Sequence, residues 1–177
     1  MERLRAHARA LSVGNEWNLD PESATLGVIA SRWYPADMVH ALLDEITRDW
    51  QESEKRRVAA EAAGSVMRAT LGGVYRTLFR MMITPERYAR HAPKLWSFYY
   101  DSGVFTVLPQ GSGRAAISTV RDWSSHHPFM CGLNRGAAIA IYRAMGCTDV
   151  ECDRVACVSK GDPECRFITR WSSERGG

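Results

Sequence analysis

The sequence predicts an α+β fold in which helices pack on one face of a twisted antiparallel sheet, made of two hairpins with an intervening helix. Two observations lead to this prediction. Apolar residues recur every three or four positions through the first half of the chain, which is typical of amphipathic helices. From Val104 onward the alternation has a period of two and is interrupted by turn-forming residues, which is typical of paired strands. A doubly wound parallel sheet is therefore disfavoured.

The first predicted helices lie between residues 36 and 82. Apolar spacing predicts a helix over Ala36–Trp50. The polar stretch Gln51–Arg57 is compatible with a loop, and a long helix is expected over 58–82. Gly72 and Gly73 lie within that helix, so they indicate a kink or a close approach of another backbone.

The next helix begins with a clear capping signal. Thr84 occupies the N-cap position and Pro85 the first helical position, both of which favour a helix start. Pro93 should bend or split this helix, because proline removes a backbone donor. The helical half is expected to end near Asp101–Gly103.

The second half contains two predicted hairpins. The elements expected in order are strands Val104–Leu108 and Ala115–Trp123, a helix Phe129–Met145, and strands Val150–Ser159 and Glu164–Trp171. The helix is rich in glycine and alanine, for example at Gly132 and Gly136, and such small residues let a helix lie close to a sheet. The predicted division of the chain is a lead-in of residues 1–24, one domain of residues 25–172 and a flexible tail of residues 173–177.

Composition excludes several classes of protein. The 177 residues suit one core, and 23 basic against 20 acidic residues give a net charge of only +3, which gives little support to nucleic-acid binding. No stretch reaches the roughly 18 apolar residues of a membrane helix, and the N-terminus lacks the apolar run of a signal peptide. We therefore expect a cytoplasmic protein without a membrane span.

Three of the five cysteines form a candidate metal site. In a reducing compartment they are expected to be thiols or metal ligands. Cys157 and Cys165 flank the final turn, which would set them nearly opposite on neighbouring strands, and Cys131 at the start of the preceding helix could supply a third sulfur. Three thiolates would suit zinc, with one more ligand needed. The alternative is that the three cysteines are buried core residues.

A resemblance to a known family rests on the same region. The residues that carry it are Cys131, Gly132, Gly136, Gly146, Val155-Ala156-Cys157, Gly161-Asp162 and Cys165-Arg166-Phe167. Their pattern over about Phe129–Trp171 resembles the vinyl-reductase-type (4VR) ligand-binding domains of bacterial phenol-sensing activators. Gly72-Gly73 and the Tyr99–Trp123 region are also similar to an uncharacterised paralogous family from myxobacteria. The wider fold resembles that of the small subunits of the TRAPP transport complex, which are dimerising scaffolds with an apolar tunnel.

The resemblance implies a structural zinc on Cys131, Cys157 and Cys165. One departure concerns the fourth ligand: where those sensors place a glutamate three residues before the second cysteine, this chain has Arg154. A guanidinium cannot bind a metal, so Arg154 is assigned the role of compensating charge, and water, Cys147 or Cys152 would complete the site.

The resemblance also implies an apolar ligand cavity between the helices and the sheet. Aromatic residues are concentrated there, and the residues predicted to line the cavity are Trp96, Tyr99, Tyr100 and Trp123. The alternative for each is ordinary core packing.

Catalysis has no candidate nucleophile in this sequence. His126 and His127 are adjacent, should point opposite ways and lack a spaced partner, so they are interpreted as a loop pair. No phosphate-binding loop or catalytic triad motif is present, and the chain is expected not to be an enzyme.

Three functions remain after these exclusions. The first is a small-molecule sensor that binds an apolar or aromatic ligand and acts through a homodimer or a signalling partner. The second is a protein-protein adaptor of the TRAPP-subunit type that needs no ligand. The third, a reductase or chaperone-like enzyme for a tetrapyrrole, ranks last, because it rests on the name of the similar family more than on residues.

Overall fold

The computed structural model describes residues 2–12, 19–29, 31–72, 84–111 and 113–172. The chain divides into two compact units, Met1–Glu52 and Ser53–Gly177. The boundary expected at residue 24 stays a prediction, and the expected tail of residues 173–177 lies outside the described residues.

The first unit contains two helices, α1 (Glu2–Ser12) and α2 (Ala36–Thr47). Helix α2 begins at the predicted residue and ends three residues before the predicted end at Trp50. The buried residues that form the core of this unit are Ala8, Leu19, Leu26, Met38 and Leu42.

The second unit contains the predicted sheet and its covering helices. Its elements are α3 (Glu52–Gly72), α4 (Pro85–Trp96), β1 (Val104–Gln110), β2 (Ala115–Arg121), α5 (Pro128–Ala144), β3 (Glu151–Ala156) and β4 (Cys165–Arg170). The four strands form one antiparallel sheet in the order β1-β2-β4-β3. The predicted α+β class, with two hairpins separated by a helix, is therefore confirmed.

Helix α3 corrects one prediction. Residues Glu52 to Arg57 are helical, so the loop expected over Gln51–Arg57 is wrong. The physical reason is that charged residues pair along the exposed helix surface: the Arg57 guanidinium binds the Glu61 carboxylate four residues further on, at 2.9 Å. The predicted continuation over residues 73–82, including the proposed kink at Gly73, lies outside the described residues.

Helix α4 begins as predicted. The Thr84 hydroxyl accepts a hydrogen bond from the Arg87 backbone N–H at 3.3 Å, and Pro85 opens the helix. Pro93 does not split the helix, which continues to Trp96. Because Pro93 lies in the last turn, its missing donor interrupts little of the helix ladder.

The buried face of the sheet carries Val107, Ala116, Val120, Phe167 and Thr169. Helix α4 packs on β1, and α5 packs on β3 and β4. The two hairpins join through β2 and β4, with Ile117 opposite Ile168 and Val120 opposite Cys165. Because β4 is one of the two central strands, Cys165 at its start lies near the middle of one end of the sheet.

Two glycines of α5 lie against α3 rather than against the sheet. A Cβ atom on Gly132 would lie 2.9 Å from the Ala59 Cβ, and one on Gly136 would lie 2.8 Å from the Ala63 Cβ. The expectation that these small residues allow α5 to pack closely on the sheet is therefore wrong. They allow α5 to pack closely on α3. Among the described residues, no helix is long and apolar enough to span a membrane.

Candidate functional site

Four potential metal ligands meet at one end of the sheet. The ligand atoms are His126 Nε2 and the Sγ atoms of Cys131, Cys157 and Cys165, and all lie within 4.8 Å of one another. The three cysteines are fully buried and His126 is half-buried. The sequence-predicted cysteines are thus brought together, and the group could hold a metal ion.

Five of the six distances within the group are between 3.2 and 3.9 Å. Cys131 Sγ lies 3.4 Å from Cys165 Sγ and 3.8 Å from Cys157 Sγ. Cys157 Sγ and Cys165 Sγ are 3.9 Å apart. His126 Nε2 lies 3.2 Å from Cys131 Sγ and 3.6 Å from Cys157 Sγ.

The start of α5 places His126 and Cys131. His127 is the N-cap residue, and its Nδ1 accepts a hydrogen bond from the Phe129 backbone N–H at 3.2 Å. Pro128 occupies the first helical position, which favours a start here. Cys131 follows in the first turn, and its N–H donates to the His127 carbonyl at 3.2 Å. Because His127 caps the helix, the two adjacent imidazoles have different roles and His126 joins the sulfur group.

The turn between β3 and β4 places Cys157 and Cys165. A short 3-10 turn, Val158–Lys160, follows Cys157, and Gly161 ends it with a φ of +89°, a region that favours glycine. The Asp162 carboxylate accepts a hydrogen bond from the Cys157 N–H at 2.8 Å. These bonds reverse the chain so that β4 begins at Cys165, beside Cys157.

The electrostatics of the group favour the ligand-competent forms of His126 and Cys165 and keep Cys131 protonated while no metal is bound. Burial lowers the pKa of His126, with a smaller contribution from the charge of Arg154, so its imidazole is neutral near pH 7. The Cys131 thiol donates to Cys165, which lowers the pKa of Cys165 and raises that of Cys131. A backbone hydrogen bond from Val158 also favours the Cys165 thiolate.

His126 is the site residue that the sequence reasoning missed. The pair was interpreted as a loop pair without a spaced partner, whereas His126 has one in Cys131, five residues later. That spacing across a helix start was the available signal. The two cysteines proposed as a fourth ligand are not in the group: Cys147 packs in the core with Tyr88, and Cys152 accepts a hydrogen bond from the Thr169 hydroxyl at 3.5 Å.

An apolar cavity of about 230 Å³ lies beside this group. Its walls come from α3, α4, residues 98–100, the strands β1, β2 and β4, and α5. None of the described lining residues is an Asp, Glu, Lys, Arg or His. The lining residues with polar atoms in their side chains are Thr70, Tyr88, Trp96, Tyr99, Tyr100, Ser118 and Asn134. A charged ligand would therefore find no counter-charge among them.

Three of the four predicted aromatic residues line the cavity. Trp96, Tyr99 and Tyr100 are in its wall, and the Trp96 and Tyr100 rings stack with centroids 4.1 Å apart. Trp123 is not among the described lining residues. It packs behind the wall, edge-on to both Trp96 and Tyr100 at 5.1 Å, since the end of β2 directs it towards His126. The roles of all four in ligand binding stay predictions.

Asn134 brings an unsatisfied polar atom to this cavity. It lies on α5, one turn after Cys131, and its Nδ2 is buried without a hydrogen-bond partner. The Tyr100 hydroxyl is close to this amide, but no hydrogen bond of good geometry joins Tyr100 to Asn134 Nδ2. Burial raises the pKa of Tyr100, so its hydroxyl stays protonated.

Comparison with known proteins shows the fold. No family model and no curated protein matches this sequence. An H-NOX protein from S. oneidensis in the Fe(II)NO ligation state has a TM-score of 0.59 at 10% identity, covering 98% of this chain and 100% of that one. An Fe(II) unliganded H-NOX protein mutant from K. algicida has a TM-score of 0.57 at 11% identity, covering 96% of this chain and 86% of that one.

A TRAPP subunit has the same general fold. Trafficking protein particle complex subunit 3 from Naegleria fowleri, covalently bound to palmitic acid, has a TM-score of 0.52 at 12% identity and covers 80% of this chain and 95% of that one. The expected similarity to TRAPP subunits is therefore confirmed at the level of the fold. The vinyl-reductase-type and myxobacterial resemblances stay predictions.

Proposed function

We propose that this chain is a sensory domain that binds a small neutral molecule in the cavity of the second unit. The observation that carries the proposal is an apolar cavity, bordered by aromatic rings, whose described lining residues include no charged side chain and few polar groups. This composition is typical of small-molecule pockets. The fold shared with H-NOX proteins supports the same class of function. The bound state would be transmitted through a homodimer or a partner protein.

We further propose that the four-ligand group binds zinc. A tetrahedral zinc with bonds of about 2.3 Å to sulfur and about 2.0 to 2.1 Å to nitrogen has S···S edges of about 3.8 Å and N···S edges of about 3.5 to 3.6 Å. The sulfurs of this group are 3.4 to 3.9 Å apart, and two of the three N···S distances are 3.2 and 3.6 Å. The third joins His126 Nε2 to Cys165 Sγ and is at most 4.8 Å. Five of the six edges are therefore within about 0.4 Å of those of a tetrahedral zinc site.

The proposed zinc has a structural role. Four protein ligands leave no open position for substrate, which is characteristic of structural rather than catalytic sites. The ion would join the start of α5 to the β3–β4 turn and so hold one end of the cavity wall. Three thiolates and a divalent cation carry a net charge of −1, and Arg154, whose charge acts on His126, would partly compensate it.

Heme does not fit this cavity. The similar H-NOX structures include an Fe(II)NO state and one that addresses heme distortion in the H-NOX family. A cavity of about 230 Å³ is below the usual range even for drug-sized ligands, and a heme macrocycle is larger than these. None of the described lining residues is a histidine or a cysteine, two common ligands of heme iron. We therefore propose a ligand much smaller than a tetrapyrrole.

We propose binding without catalysis. None of the described lining residues has a charged side chain that could act as a general base, and none is a cysteine that could act as a nucleophile. The hydroxyl groups of Tyr88 and Tyr100 are kept protonated, since burial raises both pKa values. These features support ligand retention rather than turnover.

The adaptor function remains the second candidate. The observation in its favour is the exposure of Val104 and Leu108 on the edge strand β1, together with the fold of a TRAPP subunit. An adaptor would bind its partner protein whether or not the cavity is filled. In a sensor, binding of the partner would depend on the ligand in the cavity.

A cavity-filling variant tests the sensor function. Acetophenone is a suitable neutral probe, and its binding can be measured by calorimetry. Ala137→Leu would add bulk to the cavity wall and should abolish saturable binding, whereas Ala144→Leu on the exposed end of α5 should leave it unchanged. Absence of saturable acetophenone binding to the wild-type protein, or binding that survives Ala137→Leu, would count against the sensor function.

A further inference from the structure

One buried polar atom in the cavity wall, Nδ2 of Asn134, has no hydrogen bond of good geometry among the described residues. Asn134 lies in the middle of α5, where asparagine is a poor helix former, and it lines a mainly apolar cavity. Its Nδ2 is buried without a hydrogen-bond partner among the described residues. Buried amide donors are almost always satisfied in folded proteins, and those that are not need an explanation.

We propose that Asn134 determines ligand specificity by donating its amide hydrogen bond to an acceptor atom of the bound molecule. The inference rests on the proposed sensor function and names its ligand class. The ligand is a neutral, compact molecule with a single exposed acceptor, such as a ketone, an aldehyde or an ester. A hydrocarbon would leave the amide unsatisfied, and a carboxylate would be buried without a counter-charge.

The size of the cavity limits the ligand further. A cavity of about 150 Å³ in another protein holds benzene, so about 230 Å³ corresponds to roughly nine or ten non-hydrogen atoms. One aromatic ring with a short carbonyl substituent has this size. The rings of Trp96 and Tyr100 supply an aromatic wall against which such a ring can pack.

The polar groups near Asn134 are suited to a ligand with one acceptor atom. The Tyr100 hydroxyl is close to the amide and protonated, so it offers a second donor to the same acceptor atom. Among the described lining residues of the sheet, Ser118 on β2 is the one with a polar side chain. No described lining residue offers a charge that would select an ionised ligand instead.

Two probes of equal size separate this hydrogen bond from simple apolar binding. Acetophenone carries the acceptor, and cumene replaces the carbonyl oxygen by a methyl group. Cumene leaves water more readily, so a purely apolar cavity would prefer it. The informative quantity is the ratio of the Kd for cumene to the Kd for acetophenone, measured by calorimetry for the wild-type protein and for Asn134→Leu.

We expect this ratio to fall by about twofold to tenfold in Asn134→Leu, which corresponds to the loss of one net hydrogen bond. Ala144→Leu is the control, because it changes the exposed end of the same helix, outside the described lining residues, and keeps the donor; its ratio should equal that of the wild type. Circular dichroism and the unfolding midpoint establish that each variant is folded. Benzoate, the charged relative of the same size, should not bind at pH 7.

The outcomes distinguish this inference from the function on which it rests. Equal ratios in the wild type and Asn134→Leu, or benzoate binding as tightly as acetophenone, would overturn the role of Asn134 and leave the cavity as a binding site. Failure of both neutral probes to bind the wild-type protein would overturn the sensor function as well. If Asn134→Leu does not fold, Asn134→Met provides the same comparison.

Discussion

The indole ring of Trp123 lies edge-on to the imidazole of His126, with 5.3 Å between the ring centroids and an angle of 89° between the planes. The same indole contacts Trp96 and Tyr100 in the cavity wall. Packed rings thus run continuously from the cavity to a candidate metal ligand. The cavity and the four-ligand group belong to one core. Filling the cavity should therefore affect the four-ligand group, and binding of a metal ion should affect the cavity.

The metal content of the purified protein is the first prediction. We expect the wild-type protein to retain zinc, and Cys165→Ser and His126→Ala to lose most of it, because each removes one of four ligands. Cys147→Ala is the control, since Cys147 is equally buried but lies outside the group. Elemental analysis after dialysis gives the metal-to-protein ratio. Zinc retained at the wild-type level in both ligand variants would contradict the assignment.

The second prediction concerns pH. Zinc binding requires neutral imidazole and thiolates, so its apparent affinity should fall as the pH falls from 8 to 6. The pKa of His126 is lowered, so His126 competes for protons only below its ordinary range, and the pKa of Cys165 is lowered too. The pKa of Cys131 is raised, so its thiol must release a proton when zinc binds, and the pH dependence near neutrality should come mainly from this thiol. Calorimetry in buffers of different ionisation enthalpy measures this release; an affinity independent of pH would argue against thiolate ligation.

The crossing of α3 and α5 gives the third prediction. Gly136→Ala would place a Cβ atom 2.8 Å from the Ala63 Cβ, so the helices must separate, at a cost of about 1 to 3 kcal/mol in the free energy of unfolding. Gly64→Ala on α3 is the control. Its new Cβ would meet only the flexible end of Arg68 at 3.5 Å, and it should stabilise the helix by up to about 1 kcal/mol. Urea unfolding of both variants makes the comparison, and equal effects would exclude a close crossing at Gly136.

The β3–β4 turn gives the fourth prediction. Gly161 has a φ of +89°, so Gly161→Ala should cost about 1 kcal/mol through backbone strain alone, because no atom lies within 4 Å of the added Cβ. Since this turn aligns Cys157 with Cys165, the variant should also release zinc to a chelator more readily than the wild type. Gly111→Ala is the control, because it adds a methyl group in open space without a positive φ. Chelator competition monitored by absorbance shows whether only Gly161→Ala weakens binding.

Local signals predicted the elements of the sheet half well. The strand alternation and the turn at Gly161 were enough to set Cys157 opposite Cys165, and the start of α5 was predicted within one residue. Local signals failed at Glu52–Arg57, where a polar helix face resembles a loop until its ion pairs are known. They also failed at Gly136, since its partner Ala63 is distant in sequence.

The amino-acid sequence by itself determined the α+β class, the two hairpins and the three cysteines, because hydrophobic period and turn chemistry act over a few residues. Tertiary structure decided that β2 pairs with β4, that His126 completes the cysteine group, and that Trp123 packs behind the cavity wall. These arrangements depend on how separate elements pack against one another. Packing is set by the shapes of facing surfaces, which no local pattern encodes.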